Sequence, residues 1–291
     1  MNTAIWLVRR EFWENRAIWM IPAVIGGLMV LIALFGRIDL MAIPSQVPSQ
    51  AVGGGFLLAV GATFFVVLSI YSTWYLLDCL YADRKDRSVL FWKSLPISDT
   101  TTVVSKLATA LIVIPAVYLA AADLATLLMA FIISVRASSS IGGALWHADL
   151  WLQLQALWLY VIVTSAIWYL PIAAYLLVVS AWAKRAVMLW SILPPIALLL
   201  AERWFLGSHV IAEQMGERLL GYPQFAFRDD PGCCSWVTTV VENDTLRTPT
   251  SIWGFFNVGG FVSSPETWIG IAVGVALVVG AIQLRTRRTE I

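Results

Sequence analysis

The sequence predicts an all-α integral membrane protein with six transmembrane helices. Three observations predict it: the composition, the length of the apolar stretches and the placement of basic residues. Hydrophobic residues fill 59% of the 291 positions and charged residues 13%, whereas globular proteins have about 45–50% and about 25%. The excess of apolar side chains must therefore face lipid. Since the net charge is only +1 and the basic residues are dispersed, we expect no binding to nucleic acid.

Six apolar stretches are long enough to cross a bilayer. A crossing helix needs about 20 residues, because each backbone polar group must be satisfied inside its own segment. The third and fourth stretches exceed this length and are expected to tilt or to project from the membrane. In the fifth, Pro194 and Pro195 are expected to produce a kink. The stretches span residues 17–35, 56–77, 103–133, 151–181, 187–205 and 268–284.

The basic residues predict the orientation. Cytoplasmic loops retain an excess of Lys and Arg, and 13 of the 19 basic residues fall on the side of the amino terminus if the six stretches alternate in direction. Both termini are therefore expected in the cytoplasm, as an even number of crossings also requires, in a plasma (inner) membrane. The 13 residues are Arg9, Arg10, Arg16, Arg84, Lys85, Arg87, Lys93, Lys106, Lys184, Arg185, Arg285, Arg287 and Arg288.

Two segments on that side are amphipathic. In residues 1–16, Phe12 and Trp13 fall on one helical arc and Glu11 and Glu14 fall opposite, which predicts an interfacial helix lying along the inner membrane surface. Such a helix either takes part in coupling or is only an anchor. The loop 78–102 mixes ions with bulky aromatic residues, which predicts a short cytoplasmic helix ended by a proline. Its alternative is a solvated turn whose aromatic rings rest among lipid headgroups.

The end of that loop resembles a known family. The run Asp86-Arg87-Ser88-Val89-Leu90-Phe91-Trp92-Lys93-Ser94-Leu95-Pro96-Ile97-Ser98-Asp99 is similar to the segment after the second span in ABC-2 permeases, a class of ATP-binding-cassette exporters. There a charged, arginine-containing stretch leads into a Ser-Leu-Pro-(Ile/Val)-Ser turn. The six-span layout and the amino-terminal helix agree in architecture, but only this run agrees in motif. Either Ser98 or Asp99 is expected to cap the next span.

The resemblance implies that the loop 78–102 carries a coupling helix that docks in a cleft of a separate ATPase subunit. Lys184 and Arg185, in the short loop 182–186, are a second candidate contact, or they only mark topology. The implied partners are ABC ATPase subunits, which bind ATP and Mg, and a second permease copy in a homodimer or a related permease. The implied contact residues in the first loop are Asp83, Arg84, Asp86, Arg87, Phe91, Trp92 and Lys93.

This chain has no Gly-x-x-x-x-Gly-Lys-Ser/Thr loop and is not expected to be an enzyme by itself. The expected cargo is hydrophobic or amphipathic, such as a lipid-like molecule, a peptide or an antibiotic. The alternatives are an ion-gradient-driven carrier or channel, and a membrane protein that senses or sequesters a toxic peptide to give immunity. The few cysteine and histidine residues show no metal-ligand spacing, so no metal is expected.

Four residues within the spans are candidates for a substrate path. Asp123 is a carboxylate inside a span, which is costly unless it faces protein or water. It either lines the path or has a structural role, for instance bonded to Thr126 or Ser134. The other three are deep tryptophans that either touch cargo or only pack: Trp158, Trp168 and Trp190.

The long loop 207–266 is expected outside the cell and carries more acidic than basic residues. Its aromatic stretch 251–262 predicts a short re-entrant helix, or alternatively an ordered loop without a function. Cys233 and Cys234 are adjacent, so that a bond between them would be strained. They are expected to be reduced or to pair with a second copy.

Overall fold

The computed structural model describes residues 3–36, 49–85, 98–136, 143, 145–228, 241–242, 245–246 and 252–287. Within these ranges the chain is almost entirely helical. Two short strands, β1 (Val241–Glu242) and β2 (Thr245–Leu246), pair antiparallel. The helices are α1 (Thr3–Glu14), α2 (Ala17–Phe35), α3 (Ser49–Lys85), α4 (Asp99–Ala108), α5 (Ile114–Arg136), α6 (Ala148–Trp168), α7 (Leu170–Trp182), α8 (Val187–Ala201), α9 (Val210–Leu220), α10 (Tyr222–Ala226), α11 (Val258–Ser263) and α12 (Pro265–Arg287).

Six helical segments are long and apolar enough to cross a membrane, which confirms the all-α membrane fold. This arrangement is consistent with a membrane transport protein. Several segments exceed the roughly 30 Å of a bilayer core: the 33 residues of the second rise about 50 Å. The six segments are Ala17–Phe35, Gly53–Lys85, Asp99–Arg136, Ala148–Trp168, Val187–Phe205 and Pro265–Arg287.

Two of the crossings contain irregular backbone in their interior, and the fifth ends in a π-helical turn, Glu202–Leu206. The predicted fourth span is divided at Tyr169, where α6 ends and α7 begins, because Pro171 at the start of α7 has no amide to continue the hydrogen-bond ladder. In the third crossing, α4 and α5 are joined by one π-helical turn, Thr109–Val113, two residues before Pro115. Both irregularities border the same region of the bundle, next to α3.

The helices form one bundle with two distinct ends. In its core α7 packs against α12 and α3, and α2 packs against α5. One end, which we call the charged end, holds α1, the last residues of α3 up to Lys85, the first residues of α4 from Asp99, and the last residues of α12 up to Arg287. The capped end holds α9, α10 and α11.

At the capped end, short helices cover the side of α6. The indole of Trp168 donates to the carbonyl oxygen of Arg218 at 2.9 Å, and the guanidinium of Arg218 lies 4.4 Å from the Trp168 ring centre. Tyr222 bonds Thr164 through its hydroxyl at 2.8 Å. Burial raises the pKa of this Tyr222 phenol, so the hydroxyl stays protonated. Phe261 of α11 is buried in the same cluster, and α11 overlaps the predicted stretch 251–262 at residues 258–262. That this helix is re-entrant stays a prediction.

A carboxylate at the end of the fifth crossing fixes the start of that cap. Glu202 is buried and accepts hydrogen bonds from the amides of Ile211 at 2.9 Å and Ala212 at 3.2 Å. These amides belong to the first turn of α9 and have no partner within their own helix. An anion there is also favoured by the helix dipole. Glu202, at the end of the fifth crossing, therefore anchors the next helix.

Helix α8 runs through both of its prolines, which the sequence predicted to produce a kink. Pro194 and Pro195 have no amides, so they leave the carbonyl oxygens of Trp190 and Ser191 without their helical donors. The hydroxyl of Tyr175 on α7 reaches both oxygens, at 3.4 Å and 3.1 Å. In lipid an unsatisfied carbonyl is costly, so this contact stabilises α8 and fixes it against α7.

We expect Tyr175→Phe to lower the free energy of unfolding by about 1–3 kcal/mol, since it removes the donor that both carbonyls share. The matched control is Ser191→Ala, whose hydroxyl bonds only Met188 in its own helix; it should change the value by less than about 0.5 kcal/mol. Reversible unfolding in mixed micelles measures both. Equal effects of the two substitutions would contradict the proposed role of Tyr175.

Candidate functional site

A network of buried ions joins four helices at the charged end. The ammonium of Lys106 on α4 lies 2.9 Å from Glu11 on α1 and 3.3 Å from Asp83 on α3. The guanidinium of Arg285 on α12 reaches the other oxygen of Asp83 at 3.3 Å and a carboxylate oxygen of Asp99 at 3.0 Å. Three carboxylates thus meet two cations, and together they form the ionic network.

The network is shielded from the surroundings. Lys106 is 2% exposed, Glu11 3% and Asp83 7%. Tyr75 of α3 also donates its hydroxyl to Glu11 at 2.9 Å. Since isolated charges this deeply buried would be very unfavourable, their mutual pairing is what makes the arrangement possible. Breaking one pair would leave a buried charge without compensation.

Local structure explains how α4 enters the network. Ser98 caps its amino end, with the side-chain oxygen accepting from the amide of Thr101 at 3.1 Å, which confirms that Ser98 caps the next span. Asp99 follows in the first turn, where the helix dipole favours a carboxylate. Lys106 stands two turns later and faces Glu11 and Asp83.

Helix α1 turns part of its polar side toward the bundle. The sequence placed Glu11 opposite the aromatic arc but gave it no partner. In the structure Glu11 is buried against Lys106, while Trp6 is 51% and Trp13 70% exposed. The polar side of α1 packs on protein because it has ionic partners there. Its aromatic side is left to face the surroundings, which suits a helix at a lipid interface.

Arg84 connects α3 to the second predicted contact loop, 182–186, in the same region. Its guanidinium donates to the carbonyl oxygens of Ser180 and, at 2.9 Å, Ala183. A cation in this position satisfies the carboxyl end of α7 and complements its dipole. The hydroxyl of Ser180, in turn, accepts from the amides of Leu80 and Tyr81 at 3.1 Å each. The end of α3 is therefore fastened to the turn that precedes α8.

The predicted contact residues fall into three groups. Asp83 and Arg84 are described, and both have partners within the chain. Lys184 and Arg185 are exposed in the turn beside Arg84, so they lie next to the part of the first predicted contact loop that precedes residue 86. A contact of any of these residues with an ATPase stays a prediction. The remaining candidates lie outside the described residues: Asp86, Arg87, Phe91, Trp92 and Lys93.

The four residues predicted to line a substrate path have separate environments. Asp123 accepts from the side-chain amide of Gln155 on α6 at 2.5 Å. Its expected partners Thr126 and Ser134 instead donate to carbonyl oxygens of their own helix. Gln155 was missed because a span-to-span pair cannot be read from one helix alone.

The tryptophans among these four mainly pack. Trp158 lies directly against Gly61, where an added Cβ would come within 2.3 Å of the indole. Trp168 is buried under the cap at the capped end. Trp190 meets Trp182 edge to face, with ring centres 4.6 Å apart. A role for any of them in a substrate path stays a prediction.

Sequence reasoning also missed the ionic network itself. Lys106 and Arg285 were counted only as markers of orientation, and Glu11 only as part of a polar face. A usable signal existed, since Lys106 is the one basic residue within the predicted third span, 103–133. Its partners are 95 and 23 positions away in sequence, however, so only the tertiary structure identifies them.

Comparisons with family models, with curated proteins and with solved structures find no match to this chain. The arrangement at the charged end must therefore be interpreted on its own chemistry. Among the described residues, no group of three or more His, Cys, Asp or Glu side chains is placed to hold a metal ion. With its carboxylates already paired to Lys106 and Arg285, the ionic network is suited to holding helices together.

We expect Lys106→Met to lower the free energy of unfolding by about 3–5 kcal/mol, since it leaves the buried Glu11 without a cation and Asp83 with Arg285 alone. Adding Glu11→Gln should recover part of the loss, because the two residues are directly coupled. The matched control is Glu14→Gln, which breaks only the exposed pair with Arg10 and should cost less than about 1 kcal/mol. Purely additive effects of Lys106→Met and Glu11→Gln, measured by unfolding in mixed micelles, would rule out this coupling.

Proposed function

We propose that this chain is the permease subunit of an ATP-driven exporter of the ABC-2 type, which moves a hydrophobic or amphipathic molecule across the membrane. In this proposal a separate ATPase subunit binds ATP and Mg and hydrolyses the nucleotide. The permease works as a pair, formed by two copies or with a related chain. Both termini and the charged end lie in the cytoplasm.

The ionic network is the observation that carries this proposal. The run that resembles the coupling segment of ABC-2 permeases begins one residue after Lys85 and ends at Asp99. Asp83 before the run and Asp99 at its end both bind Arg285 of α12. A force applied to the run would therefore reach α3, α4 and α12 together. Lys106 extends the connection to α1.

A second connection supports the same mechanism. Arg84, immediately before the run, holds the carboxyl end of α7. Helix α7 in turn holds α8 through Tyr175. Motion of the ATPase would thus be passed to the middle helices of the bundle without a flexible joint between Arg84 and α7. Buried, mutually paired contacts suit such transmission, because they have few alternative arrangements.

The test reverses the charge of Lys184, which is exposed in the turn beside Arg84, and of Arg87, which belongs to the run that resembles the coupling segment. The double variant Arg87→Glu with Lys184→Glu should reduce the amount of ATPase that co-purifies with the tagged chain from its own membranes by at least about tenfold. Charge reversal at a docking surface replaces attraction by repulsion. The matched control is Arg203→Glu, an exposed arginine near the capped end, which should leave co-purification unchanged.

Isolation of the intact chain without any associated ATP hydrolysis would overturn the proposal. So would equal loss of the ATPase in the Arg203→Glu control. The reconstituted complex also distinguishes an exporter from a membrane protein that only sequesters a toxic peptide. In an exporter, added cargo makes the complex hydrolyse ATP faster. In a sequestering protein, added cargo leaves the rate of hydrolysis unchanged.

The orientation is tested separately. In a chain with its own cysteines replaced, a maleimide that does not cross membranes should label Lys184→Cys in inverted vesicles but not in intact cells. Arg203→Cys should show the opposite pattern. Labelling of Lys184→Cys from outside intact cells would place the charged end on the exterior, where it could not meet a cytoplasmic ATPase.

The pair of Asp123 and Gln155 favours a second candidate, an ion-gradient-driven carrier. A carboxylate inside a span, partnered by one neutral amide, is a group that proton-coupled carriers use. Under this alternative Asp123→Asn abolishes uptake or efflux driven by a pH gradient in vesicles that contain only this chain. Under the exporter proposal such vesicles show no transport driven by a pH gradient, with or without the substitution.

A further inference from the structure

A groove in the middle of the bundle lies beside the two irregular crossings. It is bounded by α3, by the π-helical turn and Pro115, and by α6 and α7 on either side of Tyr169. Its volume of about 330 Å³ lies within the range of small-molecule sites, which is about 300–1,000 Å³. Most of its lining is apolar, with Leu68, Leu111 and Ile172 among the side chains. An aliphatic group would be well accommodated there.

The polar part of the lining consists of five hydroxyl groups, of which four already donate their hydrogens within the chain, while Ser72 donates to none of the described residues. Ser69 donates to the carbonyl oxygen of Phe65 at 2.9 Å, and Thr73 to that of Ser69 at 2.8 Å. Ser165 donates to Ile162 at 3.1 Å and Tyr169 to Leu219 at 3.2 Å. Each hydroxyl oxygen keeps lone pairs with which it can accept a hydrogen bond. These four groups therefore present acceptors to the groove.

The charges of the lining residues limit which class of molecule the groove can bind. Among the described residues that line it, none is charged. An anion would meet mainly lone pairs and no cationic side chain, and a cation would lose its hydration without gaining a counter-ion. A neutral molecule that donates hydrogen bonds, through a hydroxyl or an amide N–H, fits the lining better than either ion.

A smaller cavity adjoins the groove and contains an unsatisfied polar atom. This cavity, of about 20 Å³, shares Phe65, Leu68 and Ile162 with the groove and is also lined by Tyr118. Tyr118 is 1% exposed, and its hydroxyl has no hydrogen-bond partner among the described residues. Buried polar atoms without partners are rare in folded proteins. A polar atom of a bound molecule, or a water held beside it, would satisfy this hydroxyl.

We infer that the groove binds a neutral amphipathic molecule with an aliphatic body and hydroxyl or amide donors. The donors bond the oxygens of Ser69, Thr73 and Ser165, and the aliphatic body lies along α3 and α7. This inference deepens the proposed function and rests on it for its physiological meaning, since it assigns the cargo class and places a cargo site within one chain. Binding itself is a property of this chain alone.

The test compares two probes that differ only in a donor. The purified full chain in lipid nanodiscs is exposed to a photoactivatable decanol or to the methyl ether of the same compound. The alcohol should label peptides of α3 and α7 about fivefold more than the ether, because one hydrogen bond more is formed. Unlabelled decanol should compete with this labelling, and unlabelled ether should compete less.

Substitutions then locate the site. Thr73→Val keeps the shape of the side chain and removes its oxygen, so it should reduce labelling by the alcohol about fivefold and leave labelling by the ether unchanged. The matched control is Thr63→Val, also on α3, whose hydroxyl bonds only the carbonyl oxygen of Ala59 at 2.9 Å. That control lies outside the groove and should leave both probes unchanged. Ala166→Leu, which fills the groove, should reduce labelling by both probes.

Equal labelling by the alcohol and the ether, or equal effects of Thr73→Val and Thr63→Val, would overturn the inference. Far-ultraviolet circular dichroism of each variant separates loss of binding from loss of fold. Because no ATPase is present in this experiment, its result is independent of the co-purification test. Donor-selective labelling without an associated ATPase would leave the groove assigned and refute only the exporter.

Discussion

A charge placed within a membrane-spanning helix costs about 3 kcal/mol or more unless it finds a partner. Lys106, Glu11 and Asp83 are almost fully buried, and each lies on a different helix. Helices α1, α3 and α4 must therefore pack so that these three side chains pair. Arg285 places the same requirement on α12. The relative positions of these helices at the charged end follow from this requirement, whereas the apolar contacts along their length allow more freedom.

The same constraint gives the charged end its mechanical character. Ion pairs that are buried and mutually satisfied cannot shift gradually, because any displacement exposes a charge to an apolar environment. The segment between Lys85 and Asp99 has the network at both of its ends. Nearby, Arg84 completes the carboxyl end of α7 through main-chain carbonyls. A force applied to this segment would thus be transmitted to helices that are distant in sequence.

Away from the charged end, the crossings contain the features that a membrane helix usually avoids. The Pro194 and Pro195 pair, the π-helical turn at Thr109–Val113 and the interruption at Tyr169 each release backbone groups from the regular ladder. Side-chain hydroxyls compensate for some of these losses, as Tyr175 does for α8. Irregular backbone at membrane depth is tolerated where it lies in protein or lines a cavity. Two of the irregularities adjoin the groove that contains Ser69 and Thr73.

The sequence by itself determined that the chain is helical, that six segments can cross a membrane, and that Ser98 or Asp99 begins one of them. These features depend on composition, on segment length and on neighbouring residues, which a linear pattern records. The predicted bounds coincide with the structure for the first crossing, 17–35, and for the fifth, 187–205.

Only the tertiary structure decided which side chains meet. The sequence placed Glu11 only on the polar side of an amphipathic helix and used Lys106 only for orientation, yet they pair across 95 positions. Asp123 bonds Gln155 rather than a residue of its own helix, and Tyr175 compensates for prolines on the next helix. The physical reason is that helical periodicity fixes the direction of a side chain within its helix but carries no information on what the neighbouring helix presents there. Polar partners inside a membrane are chosen by packing between helices.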